Sequence, residues 1–150
     1  MSLDKLTDAE VNEIADNLDS SFAVYFHKTT RLMLFVPDEN NPNFMDFDGY
    51  EAELEAIEAD PKGYWRFAPM PSRERYEVMS NFSRQVNHPV LRRELEAALR
   101  KPKPFRRFKD VLLSAADDYI RDWNDFEFKA SCDYVRRAYA DMQEAGEEEE

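Results

Sequence analysis

The sequence predicts an α+β fold, with a small antiparallel sheet of about three strands packed with about five helices, the last of them long. Three observations predict it. Apolar residues alternate with others in two short runs between residues 20 and 37, the pattern of a β-hairpin. Through most of the remaining chain they recur every three or four residues, the pattern of helices with one buried face. Glycine occurs only three times, which argues against a large sheet with many tight turns and against a glycine-rich phosphate loop. Strands early and helices late give an α+β order.

Residues 7–18 read as a helix. Thr7 and Glu10 have capping-box spacing, in which each side chain satisfies a free backbone N–H. Val11, Ile14, Ala15 and Leu18 form its apolar stripe. In the hairpin, Phe22, Val24 and Phe26 alternate with Ala23 and Tyr25, and Leu32–Val36 makes the second run. The polar "HKTTR" joins them without Gly or Asn, and Pro37 ends the pairing. "PDENNPNFMDFDGY" is a turn-rich acidic loop. A helix follows at 50–59 with Leu54 and Ile57 inward, stopped by Asp60-Pro61. "YWRFAPM" at 64–70 reads as the third strand.

The helix from Ser72, taken as its cap, buries Tyr76, Met79, Phe82 and Val86. Pro89 suits the first turn of the next helix, at 89–100, striped by Leu91, Leu95 and Leu99. Pro102 and Pro104 interrupt the chain, and a short helical turn at 105–113 leads to a long helix from about 115 to 143. Ile120, Trp123, Phe126, Ala130, Tyr134 and Ala138 share one side of that helix. The expected organisation is a single domain over 1–143 with an acidic disordered tail over 144–150.

Charge is unevenly placed. The chain carries a net −12, made of −12 in residues 1–60, +8 in 61–110 and −8 in 111–150. The cations concentrate in Arg92, Arg93, Arg100, Lys101, Lys103, Arg106, Arg107 and Lys109. Such a segment can bind a polyanion, since cations with interleaved aromatics contact phosphates and stack bases. It can also hold the protein's own acidic segments. Phe105 and Phe108 stand three residues apart, on one helical face, which points them to a core and points Arg106, Arg107 and Lys109 away from it. The expectation is therefore internal pairing, with Arg106 and Arg107 meeting carboxylates and Asp110 as a near partner of Arg106 on the same helix.

Other chemistry finds little support. Asp38, Glu39, Asp46 and Asp48 do not match a calcium-loop pattern and read as a solvated loop. His27 and His88 lack HxxxH, HExxH or HxE neighbours, and His88 reads as a helix cap or a partly buried side chain. The single Cys132 excludes an internal disulfide or a cysteine-cluster metal site, and nothing beside it marks an activated nucleophile. No catalytic residue, metal or cofactor is assigned. The acidic, amphipathic N-terminus is unlike a signal peptide, and no stretch has the length of a membrane span. The expectation is a soluble cytoplasmic protein with no membrane partner.

"FRRFKDVL" (Phe105–Leu112), followed by Trp123 and Phe126, resembles the C-terminal signature of a bacterial group, uncharacterised protein family 0158. "LDSSFAVYFHKTTRLMLFV" resembles that family's hairpin, and "YWRFAPMPSRERYEVMSNF" its strand-then-helix segment, so the likeness spans about residues 8–140. The family favours a small residue ahead of the first Phe, where this chain has Lys103-Pro104. The resemblance implies a small bacterial α+β protein and makes Phe105, Phe108, Trp123 and Phe126 its structural signature. It implies no reaction, ligand or catalytic residue. The functional expectation is a non-enzymatic interaction or regulatory module with a protein partner. The alternatives are nucleic-acid or other polyanion binding through 92–109, and an enzyme with an unrecognised site.

Overall fold

The computed structural model describes residues 5–115 and 119–149. Its elements, in order, are α1 (Asp8–Asp19), β1 (Phe22–His27), β2 (Met33–Pro37), α2 (Glu51–Ala59), β3 (Tyr64–Phe67), α3 (Ser72–Gln85), α4 (Pro89–Leu99), α5 (Pro104–Ser114) and α6 (Tyr119–Glu149). The three strands form one antiparallel sheet in the order β2-β1-β3. The α+β expectation is met, including the hairpin, the added strand and the long last helix.

The chain divides into two compact units. The first comprises residues 1–69 and 131–150, and the second residues 70–130. Helix α6 contributes its beginning to the second unit and its remainder to the first.

In the first unit, β1 is the central strand. Val24 and Phe26 on one of its faces are fully buried against Val11, Ile14 and Leu18 of α1 and against Val135 and Tyr139 of α6. The capping box holds: Thr7 Oγ1 accepts from the Glu10 N–H at 3.1 Å, and Glu10 Oε1 accepts from the Thr7 N–H at 2.8 Å. Glu10 also receives two hydrogen bonds from Arg31, Nη2 at 2.6 Å and Nε at 3.0 Å. That guanidinium holds the Glu10 carboxyl below its ordinary pKa, against an opposing push from burial. The hairpin turn, lacking glycine, places Arg31 itself at φ 64°.

At the other end of the turn, His27 Nδ1 accepts from the Thr29 and Thr30 N–H groups, so Nε2 carries the proton and donates to Asp60 at 3.0 Å. A Cβ at Gly63 would overlap the Asp60 carboxylate as it stands, so a larger residue there would push that side chain away from His27. The 38–48 loop is organised by side chains that imitate turns, with Asp38 accepting from the Asn40 N–H and Asp46 from the Asp48 N–H. Cys132 is buried, and burial raises its thiol pKa.

In the second unit, α3, α4, α5 and the start of α6 enclose a separate core. Its centre is aromatic. Trp123 lies 5.3 Å from Phe82, 5.1 Å from Phe108 and 6.4 Å from Phe126, mostly edge to face or tilted, the arrangements that ring quadrupoles favour. Met79, Leu91, Leu95, Leu99 and Leu112 fill the space around them.

Several local expectations need correction. The N-cap of α3 is Pro71, without a side-chain hydrogen bond, and Ser72 is already helical. Strand β3 ends at Phe67. The expected turn at 105–113 is an eleven-residue helix, α5. The apolar stripe drawn along α6 does not continue through it. Trp123 is buried in the second unit, but in the first the buried positions are Cys132, Val135 and Tyr139, while Tyr134 and Ala138 lie at the margin. One helix serving two cores has no reason to keep one stripe. The helix runs to Glu149. Its expected start near 115 runs into residues 116–118, which lie outside the described residues, as does Glu150.

Candidate anion-binding face

Why the cations stand where they do follows from helix geometry. On α5, Phe108 is fully buried and Phe105 partly so, with the Arg75 guanidinium 5.0 Å over its ring. The residues between and after them therefore face outward, and Arg106, Arg107 and Lys109 are exposed. On α4, Leu91, Leu95 and Leu99 point inward, which turns Arg92, Arg93 and Arg100 out. All eight predicted cations are exposed.

Their partners are few. Arg92 Nε donates to Glu96 Oε1 at 3.0 Å, and Arg100 Nη2 lies 3.8 Å from Glu96 Oε2, both one helical turn away. Arg107 Nε donates to the Pro102 carbonyl at 2.7 Å, and Arg93 Nε to the Pro89 carbonyl at 3.4 Å. Among the described residues, Glu96 is the one carboxylate that pairs with any of the eight. The expected pairing of Arg106 with Asp110 is absent among them, and so is any carboxylate on Arg107. The acidic segments find partners of their own inside the first unit: Glu10 with Arg31, Asp60 with His27, and Asp8 with Arg136 at 2.9 Å.

Several of the cations border two hollows on the surface of the second unit. Lys101 and Arg107 border a hollow between α4 and α5, together with Glu94 and Asp110. Arg92 and Arg100 border a furrow between α3 and α4, and there they meet Arg84, which the sequence analysis did not single out. Arg84 is fixed by its own helix, donating to Asn81 Oδ1 at 3.0 Å and Ser80 Oγ at 3.2 Å. The furrow wall also includes Tyr76, whose hydroxyl donates to the Leu99 carbonyl at 3.0 Å and ties α3 to α4. Tyr76, expected inward, is exposed here, and the only signal for Arg84 was its one-turn spacing from Ser80 on α3.

His88 caps α4, its Nδ1 accepting from the Leu91 N–H at 3.1 Å. The opening of α5 is unusual: Lys103 is its N-cap, at φ 55° and ψ 55°, a left-handed conformation that costs a side-chain-bearing residue about 1–2 kcal/mol.

Among the described residues, no group of three His, Cys, Asp or Glu side chains is placed to hold a metal ion. No helix among them is long and apolar enough to cross a membrane. No protein-family model, curated protein or solved structure matches the chain.

Proposed function

We propose that the chain is a small bacterial, cytoplasmic interaction module, non-enzymatic, whose second unit takes hold of an anionic protein partner through Arg92, Arg93, Arg100, Lys101, Lys103, Arg106, Arg107 and Lys109. The single observation that supports it is the exposure of all eight cations, for which Glu96 is the one carboxylate partner among the described residues. Cations held this way keep most of their hydrogen-bond donors for a ligand. Residues 70–130 carry a net +3 within a chain of −12, so an anionic partner is repelled by the bulk of the chain and attracted to this stretch. The bacterial assignment follows the resemblance to uncharacterised protein family 0158 through Phe105, Phe108, Trp123 and Phe126.

Nucleic acid is the second reading, favoured by the same exposed cations. Phe108 is turned to the core and offers no face for base stacking, and Phe105 is partly buried, so that reading relies mainly on phosphate contacts. The test is chromatography on immobilised heparin, comparing the wild type with a variant in which Lys101, Lys103, Arg106, Arg107 and Lys109 are all alanine. The wild type should be retained and elute in raised salt, and the variant should elute earlier. A wild type that passes straight through at low salt would overturn the proposal.

A further inference from the structure

We propose that the furrow between α3 and α4 is a site for a phosphomonoester group carried on a peptide, and that Glu96 occupies it until that group arrives. The proposal rests on the reading of the second unit as an anion-binding module and narrows it to one place and one chemical group.

Two adjoining hollows make up the furrow. One is about 280 Å³ and the other about 450 Å³, and they share Arg84, Arg92 and Glu96 as lining residues. Arg100 borders the first and Arg93 the second, so four arginines line the furrow, and two of them, Arg92 and Arg100, reach its one carboxylate, Glu96. Arg84 is held in place by Ser80 and Asn81, which lowers the entropy cost of using its remaining donors. Arg92 and Arg100 stand two turns apart on α4 and both turn toward Glu96, the residue midway between them. An anion therefore already sits at the point where these guanidiniums converge, and it belongs to the protein.

Magnitudes favour its displacement. Exposed pairs four residues apart on a helix contribute only about 0.3–0.5 kcal/mol each. A phosphomonoester brings close to two charges and three acceptor oxygens, and it takes charge-assisted, forked hydrogen bonds from arginine, which are roughly twice as strong as neutral ones. Glu96 gives way to such a group and swings to solvent, since its side chain is already about one-third exposed (34%). A phosphodiester backbone offers one charge per group and approaches a chain of net −12 along its length, so a single dianion on a peptide suits this compact cluster better.

The experiment is a calorimetric or NMR titration of the full chain with three probes: a short glycine-alanine peptide bearing one phosphoserine, the same peptide unphosphorylated, and a single-stranded oligonucleotide. The phosphopeptide should bind at least about tenfold more tightly than its unphosphorylated twin. Glu96→Gln, nearly isosteric and on the surface, should tighten it by about two- to fivefold by removing the resident competitor. Arg92→Ala should weaken it about tenfold, and Arg92→Lys should restore only part of the loss, because an ammonium lacks the planar fork. Lys62→Ala/Lys129→Ala, which removes two exposed cations outside the anion-binding set, should leave it within about twofold.

Equal binding of the two peptides overturns the proposal, as does a Glu96→Gln variant that binds no better than the wild type. An oligonucleotide that binds with the same response to Glu96→Gln while the phosphopeptide does not overturns it in favour of nucleic acid. If all three probes fail while heparin still retains the chain through Lys101–Lys109, the furrow proposal falls and the broader module stands. If heparin fails too, both fall.

Discussion

Truncating Phe108 to alanine should remove a third or more of the stability of the second unit, while removing both Arg106 and Arg107 should cost it much less. Phe108 is 0% exposed, with the Trp123 ring 5.1 Å away and the Phe82 ring at 6.3 Å. Deleting a buried phenylalanine ring costs about 3–5 kcal/mol, lost transfer energy and the cavity together. A unit of roughly sixty residues has a total stability of about 3–9 kcal/mol. The two arginines offer far less: Arg106 is exposed, and Arg107 contributes one bond to the Pro102 carbonyl, for a joint loss below about 1.5 kcal/mol. At about 4–8 °C per kcal/mol for a unit of this size, the first change lowers Tm by more than about 12 °C, and the pair by less than about 12 °C.

The assay is thermal and urea unfolding followed by tryptophan fluorescence in a Trp65→Phe background, which leaves Trp123 as the sole emitter. Because Phe108→Ala can abolish the transition, Phe108→Leu serves as a milder truncation with a measurable midpoint. If the arginine pair lowers the midpoint as far as either Phe108 variant, the ranking of apolar burial over surface charge is wrong for this unit.

Lys103→Gly should raise the stability of the second unit by a few tenths to about 1 kcal/mol, since glycine takes the left-handed backbone without strain but loses more freedom on folding. A lowered midpoint would show that the Lys103 side chain contributes something that no described contact explains. Acid should weaken the first unit partly through Glu10. Its folded pKa lies below its unfolded value, so the Arg31 contacts stabilise above the ordinary carboxylate range and are lost as pH falls through the depressed folded value. Glu10→Gln should therefore lower stability at pH 7 by about 1–2 kcal/mol and flatten the decline toward pH 3; an unchanged slope in Tm against pH would refute the assignment.

Most of the secondary structure was legible in the sequence because it rests on local spacing. Thr7 and Glu10 announce α1, Pro89 announces α4, and the alternation at 22–26 announces β1. What escaped depends on tertiary partners. The hairpin turn carries no glycine because Arg31 takes the left-handed position and is held there by Glu10 and the Lys5 carbonyl. The stripe on α6 misled because helical periodicity assumes one core, and this helix supplies Trp123 to one and Val135 to another. At the candidate site, the exposed cations were readable from composition and from the inward spacing of Phe105 and Phe108. Their grouping was not: Arg84 meets Arg92 and Arg100 only because α3 lies along α4. The expected internal clamp also presumed that opposite charges seek each other at any distance. Net charge is not directional, and Glu10, Asp60 and Asp8 had nearer cations.

The order in which the chain leaves the ribosome separates the two units in time. The stretch from 70 to 130 is contiguous and has all its core residues as soon as it emerges. The sheet has to wait, because Val135 and Tyr139, which close over Val24 and Phe26, are made more than a hundred residues after the strand they cover. At about 5–20 residues per second, β1 spends roughly 5–20 seconds without its lid. During synthesis that half-finished sheet, and not the basic face, is the surface most in need of a chaperone.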